Sequence, residues 1–195
     1  WGSNGQGQLG IGSDDASARL TPLALSGGLR FSVISANSGA QYFCGILADS
    51  GAAWCWGNNS SGQLGDGTTS DRSSPVQVLL PAGGALVAQL AAGGYHCIAL
   101  LQGGAVIVWG RNDHGELGDG STTNRPTPVD VSGLASGVTA IAAGYQHTCA
   151  LLATGARLTA VLRPPSGQLD AAHLETWLPT LRALGRRPAD SGFAG

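Results

Sequence analysis

Short apolar segments recur along the chain, each separated from the next by residues that turn it. Phe31–Ser35, Tyr42–Leu47, Ala52–Trp56 and Val76–Leu79 form one series, rich in β-branched and aromatic residues. A second series runs Ala85–Leu90, His96–Leu101, Ala105–Trp109 and Val129–Val131, and a third Val138–Ala142, His147–Leu152 and Arg157–Leu162. Segments of this length and make-up, bounded by Gly, Asp, Ser and Asn, predict strands. Asp49-Ser50-Gly51, Gly103-Gly104 and Thr154-Gly155 supply turn residues, so the middle two strands of each series form a hairpin. Four strands per series, repeated along the chain, predict an all-β fold of stacked sheets.

The series are copies of one another. W-G-x-N-x-x-G-(Q/E)-L-G-x-G is spelled at Trp1–Gly12, Trp56–Gly67 and Trp109–Gly120, recurring after 55 and then 53 residues. A period near fifty residues means a repeat architecture. Trp1, Trp56 and Trp109 are expected to pack the sheets. Leu9, Leu64 and Leu117 are expected to anchor the long loop after each Trp, and Gly10, Gly65 and Gly118 to allow its tight path. A proline follows at Pro22, Pro75 and Pro128, and then a small-residue strand such as IAAGYQHTCALL from Ile141 to Leu152.

This pattern resembles the regulator of chromosome condensation repeat family over about residues 1–162. The resemblance implies β-propeller blades, here about three repeats of an incomplete ring. It implies a non-enzymatic protein-interaction scaffold. It also leaves two alternatives: a guanine-nucleotide exchange factor for a small Ran-like GTPase, and a secreted, inhibitor-type binding propeller. Residues 163–195 break with the repeat in composition. Leu169, Leu174, Trp177 and Leu181 suggest a short amphipathic helix interrupted at Pro179, and a reading-frame artefact fits equally.

Charge and composition narrow the partners. All ten basic residues are Arg, and the formal net charge is −2. A protein partner is expected, and a clear nucleic-acid face is not. No run of apolar residues is long enough for a membrane span. The chain has no Met and opens inside a motif, which points to a missing N-terminus. Secreted and cytoplasmic or nuclear locations are therefore not distinguished.

Candidate sites are few. His96 and His147 match in A-G-x-x-H, and the resemblance places that loop on a partner-binding face; a structural hydrogen bond is the other reading. Asp66 and Asp119 stand in L-G-D-G, where an Asp either meets a partner or caps its own turn. Gly5, Gly7 and Gly10 spell a glycine-rich loop, but no helix follows it, and no cofactor is expected. Asn58 and Asn59 fit glycosylation sequons. Cys44 and Cys55 lie symmetrically about Ser50 and can oppose each other across the hairpin. Ile98 and Val108 replace both in the next copy. A disulfide and two buried thiols both fit. Cys149 falls opposite Thr159, and Cys97 is one place out of register, on the other face of its strand. No C-x-x-C spacing is present, so no metal is expected.

Overall fold

Eleven strands, each repeat contributing its own sheet, account for the described part of the chain, residues 1–37, 39, 41–81, 86–153 and 160–162 of this computed structural model. β1 (Phe31–Ser35), β2 (Tyr42–Leu47), β3 (Ala53–Gly57) and β4 (Arg72–Gln77) form one antiparallel sheet in sequence order. β5 (Val87–Ala92), β6 (His96–Leu101), β7 (Val106–Gly110) and β8 (Arg125–Asp130) form the next. β9 (Val138–Ala143), β10 (Thr148–Leu152) and β11 (Ala160–Leu162) form a third. Among the described residues the only helix is a single 3-10 turn at Ser26–Gly28. Residues 1–165 form one compact unit and 166–195 a second, and the second, with its expected helix, lies outside the described residues.

The outer strands begin earlier than the sequence pattern predicts. β4 starts at Arg72 and β8 at Arg125, so Pro75, Pro126 and Pro128 lie inside strands rather than ahead of them. A sheet edge tolerates this, because a proline there need not supply an N–H to an outer neighbour. A register shift between Cys55 and Gly57, repeated between Val108 and Gly110, bends each third strand at its Trp. The third sheet departs from prediction in register. Cys149 pairs with Val161 rather than Thr159, and Leu162, opposite Thr148, stands where the earlier sheets place Trp. The turn at Thr154-Gly155 lies outside the described residues.

The core lies between sheets, not within one. Tyr42, Cys44, Ile46 and Cys55 of the first sheet pack against Val87, Leu90, Cys97 and Trp109 of the second. Ile98, Leu100, Val106 and Val108 on the second sheet's opposite face pack against Val138, Ile141 and Ala150 of the third. Each middle strand is therefore apolar on both faces, which is why β6 and β7 read as near-continuous hydrophobic runs. Blades stacked face to face in this way are the packing of a propeller.

Candidate functional site

The long loop of each repeat is organised around its buried Asn. Asn59 accepts the Leu64 N–H at 2.9 Å and donates to the Thr68 and Ser70 carbonyls at 3.0 and 3.1 Å. Asn112 does the same with Leu117, Ser121 and Thr123. Both side chains are fully buried, as is Asn4 in the first copy. One amide thus ties both ends of the loop together and satisfies backbone groups that burial would otherwise strand. Asn58 and Asn59, the sequon positions, are buried in this arrangement.

Asp66 and Asp119 complete the same loops. Asp66 accepts from the Thr68 N–H at 3.0 Å and from Arg72 Nε at 2.8 Å; Asp119 takes Ser121 and Arg125 at 2.9 and 2.8 Å. Burial alone would raise both carboxyls, but the hydrogen bonds from Thr68 and Arg72, or Ser121 and Arg125, outweigh it and hold them below the usual value. Of the two sequence readings, the turn cap describes the contacts these residues make. Neither motif recognition nor charge pattern had singled out Arg72 and Arg125, although both recur six residues after the Asp.

Each loop then clasps the following blade. Trp56 Nε1 donates to the Gln8 carbonyl at 3.0 Å, and Trp109 Nε1 to the Gln63 carbonyl at 2.9 Å. Gly10 and Gly65 have φ of +64° and +66°, and a Cβ on either would sit 2.9 or 2.8 Å from that indole nitrogen. Trp56, Trp109, Leu64 and Leu117 are buried, whereas Leu9 is half-buried and Trp1 is 74% exposed. Beside Trp1, Gly2 makes a single bridge to Arg19. Gly118 has φ +58°, and its loop's Glu116 carbonyl takes the Thr148 hydroxyl at 2.9 Å.

His96 sits at the seam between the second and third blades, fully buried, with Nε2 2.9 Å from Thr148 Oγ1. Thr148 spends its proton on Glu116, so His96 carries its proton on Nε2 and is neutral. Burial, then the neighbouring His147, bring it down to about 4 against a smaller opposing backbone hydrogen bond at His147. Of the two sequence readings of His96, the structural hydrogen bond describes the contacts this buried side chain makes. The position starts a strand whose first residue points into the next blade, as Tyr42 does one seam earlier with its hydroxyl 2.9 Å from the Gly93 carbonyl. His147 is half-buried.

Exposed chemistry gathers instead at one loop cluster that the sequence reading missed. Tyr95 and Tyr145 meet edge to face at 6.0 Å, and the Arg111 guanidinium lies 5.8 Å above Tyr95. The Arg111 N–H donates to the Tyr95 carbonyl at 2.9 Å and Gly94 N–H to that of Tyr145 at 3.2 Å, which locks three loops from adjacent blades together. Tyr145 is 52% exposed, and a hydrogen bond with Tyr95 raises its phenol. A-G-G-Y-H and A-G-Y-Q-H did carry the signal, but the tyrosines are offset by one place between copies, so alignment on the histidines hid them.

Cys44 and Cys55 pair directly across β2 and β3, with Cα atoms 4.1 Å apart and Sγ atoms 2.07 Å apart, a disulfide. Cys97 and Cys149 are free and buried. Cys97 faces away from the Ile98–Val108 side of its own sheet, as expected, and that face turns it onto the first blade.

Comparison with known proteins places these features in one class. The family model described as regulator of chromosome condensation (RCC1) repeat matches residues 50–100 and 103–151, and a second model of the same description matches 33–63 and 87–116. The chain is 33% identical over 156 residues to the ultraviolet-B receptor UVR8 of Arabidopsis thaliana, covering 80% of this chain and 35% of the receptor. It is 36% identical over 172 residues to the probable E3 ubiquitin-protein ligase HERC4 of Homo sapiens, covering 87% of this chain and 16% of HERC4. Among solved structures it is similar to Prp20p of Saccharomyces cerevisiae, a protein described with its binding to Gsp1p and histones, at a TM-score of 0.60 and 24% identity, covering 78% of this chain and 38% of that one. The chain therefore spans well under half the length of each.

Proposed function

The chain belongs to the regulator of chromosome condensation repeat family, and from that membership we propose that its blades act as a non-enzymatic protein-binding platform. The observation that supports this reading is the Tyr95–Arg111–Tyr145 cluster. Tyr and Arg dominate the residues that carry binding energy at protein interfaces, because each offers a large rigid surface with a polar end. Here they are held in place before any partner arrives, by backbone hydrogen bonds between loops. Preorganisation of this kind lowers the ordering cost of association. The partner is a protein contacted at this loop end of the blades.

The test is a photo-crosslinking amino acid placed at Tyr145, and at exposed Gln77 on the outer strand as a control. Protein adducts formed at position 145 and absent at 77, and lost when Arg111 is replaced by Ala, are expected. Adducts at 77 alone, or at both equally, would refute the assignment of the face.

Guanine-nucleotide exchange is the finer reading that the family brings with it. Prp20p is described as binding Gsp1p, and that property belongs to Prp20p. Carried to this chain, it gives a direct assay: release of a fluorescent guanine nucleotide from Gsp1p with excess chain. Binding without acceleration is the expected outcome for a platform. Acceleration abolished by Tyr145→Ala would replace the platform reading with an exchange factor.

A further inference from the structure

The seam between the first two blades carries a cluster that the interaction face does not use. Three sulfurs, of Cys44, Cys55 and Cys97, lie within 4.8 Å of one another, all fully buried. Cys44 and Cys55 are joined. Cys97 comes from the second blade, and its Sγ stands 3.3 Å from Cys44 Sγ. Its S–H donates to the Tyr42 oxygen, with Sγ 3.6 Å away, and the proton of Tyr42 goes to backbone carbonyls of the second blade. The equivalent positions at the next seam are Ile98, Val108 and Thr148. All three sulfurs are exchanged for other groups together, so the cluster belongs to this seam and is not a demand of the repeat.

We propose that Cys97 exchanges with the Cys44–Cys55 disulfide, so that the chain can carry its bridge either within the first blade or across the seam between the first and second. The Cys97 thiolate attacks Cys44 Sγ. The Cys44–Cys97 bond forms, the Cys44–Cys55 bond breaks, and Cys55 leaves as a thiolate that takes up the proton Cys97 gave away. One disulfide and one thiol stand on each side of the reaction, so no oxidant or reductant enters. A separation of 3.3 Å falls in the range of about 3–3.5 Å from which positioned groups react, but with all three sulfurs within 4.8 Å of one another Cys97 stands off the line of the Cys44–Cys55 bond and must swing into it to attack. Two further features make the exchange slow rather than absent. Burial pushes the Cys97 thiol up to about 12, and the thiolate is the attacking species. The seam also excludes the water that would carry the proton, so turnover runs through brief opening of the two blades. The product differs from the starting bridge in what it holds. A Cys44–Cys55 bridge spans 11 residues inside one hairpin that its own ladder already pairs. A Cys44–Cys97 bridge spans 53 residues and fastens blade to blade. Cross-links over longer loops constrain the unfolded chain more.

The sequence makes the two states separable by trypsin, since every basic residue is Arg. Cys44 and Cys55 share the peptide Phe31–Arg72, and Cys97 lies on Ser73–Arg111. The unreduced wild-type chain, oxidised with glutathione disulfide and freed of it, is held at about pH 8.5, sampled over days, trapped with a thiol alkylator and digested. The internally bridged Phe31–Arg72 peptide is expected first, with the linked Phe31–Arg72/Ser73–Arg111 pair rising to a plateau whose level is unchanged by tenfold dilution. Cys55→Ser should yield only the linked pair, and Cys97→Ser none. The proposal is overturned if the wild type yields no linked pair, if the pair scales with concentration and so joins separate chains, or if Cys149 appears in bridges, which would mark scrambling through unfolding. The wild-type arm stands alone if a variant fails to fold.

Discussion

Replacing Gly65 by Ala isolates the contact that couples one repeat to the next. Gly65 combines a φ of +66° with a neighbour where its missing side chain would go. An added Cβ would lie 2.8 Å from Trp109 Nε1, 2.9 Å from Trp109 Cδ1 and 3.0 Å from Val78 Cγ1. The left-handed backbone costs an L-residue about 1–2 kcal/mol. The clash costs about 1–3 kcal/mol more, because Trp109 is fully buried and must move away from the Gln63 carbonyl it bonds. Gly65→Ala should therefore lose about 2–5 kcal/mol. Gly120→Ala is the matched control: φ is +83°, but nothing lies within 4 Å of its Cβ, so only the backbone cost of about 1–2 kcal/mol remains. The assay is thermal or urea unfolding of wild type and both variants, followed by tryptophan emission. For a chain of this size each kcal/mol moves the thermal midpoint by roughly 2–4 °C, so Gly65→Ala should melt several degrees below Gly120→Ala. Equal losses in the two variants would refute the reasoning, since the positive φ alone would then explain both and the loop-to-Trp contact would contribute nothing.

Two further outcomes follow from the same seams. Trp109→Phe removes the N–H that satisfies the Gln63 carbonyl together with part of a fully buried indole, and should cost at least about 1–3 kcal/mol in urea unfolding; a cost near zero would show that the carbonyl finds another donor and the site closes over the lost ring. His96 is held near 4 in the folded chain against about 6.5 unfolded, so its contribution is whole above pH 6.5 and is lost as pH falls toward 4, by at most about 3 kcal/mol. His96→Gln should flatten the decline in unfolding free energy between pH 7 and 4.5, and an unchanged slope would refute the assignment.

The repeat and the strand count were legible in the sequence, because the units recur. Trp56 with Trp109, Leu64 with Leu117 and Gly65 with Gly118 must each solve the same packing problem at successive seams, so the same side chain returns at the same offset. The pairing of Cys44 with Cys55 was legible as one of two readings for a related reason: their positions follow from a hairpin whose turn is marked, and local geometry sets the register. What the sequence could not show is what each blade meets. The sequence left His96 between a partner-binding loop and a structural hydrogen bond, and could not name Thr148, 52 residues away, as the group it meets across the seam. Cys97 was rightly turned to the other face of its sheet, but only stacking of the blades puts that face 3.3 Å from Cys44. Tyr95, Arg111 and Tyr145 come from three loops that periodicity treats as separate. Alternation along a strand determines which side a residue takes. The partner on that side is decided by packing between sheets, which depends on the twist and spacing of whole blades and leaves no mark at any single position.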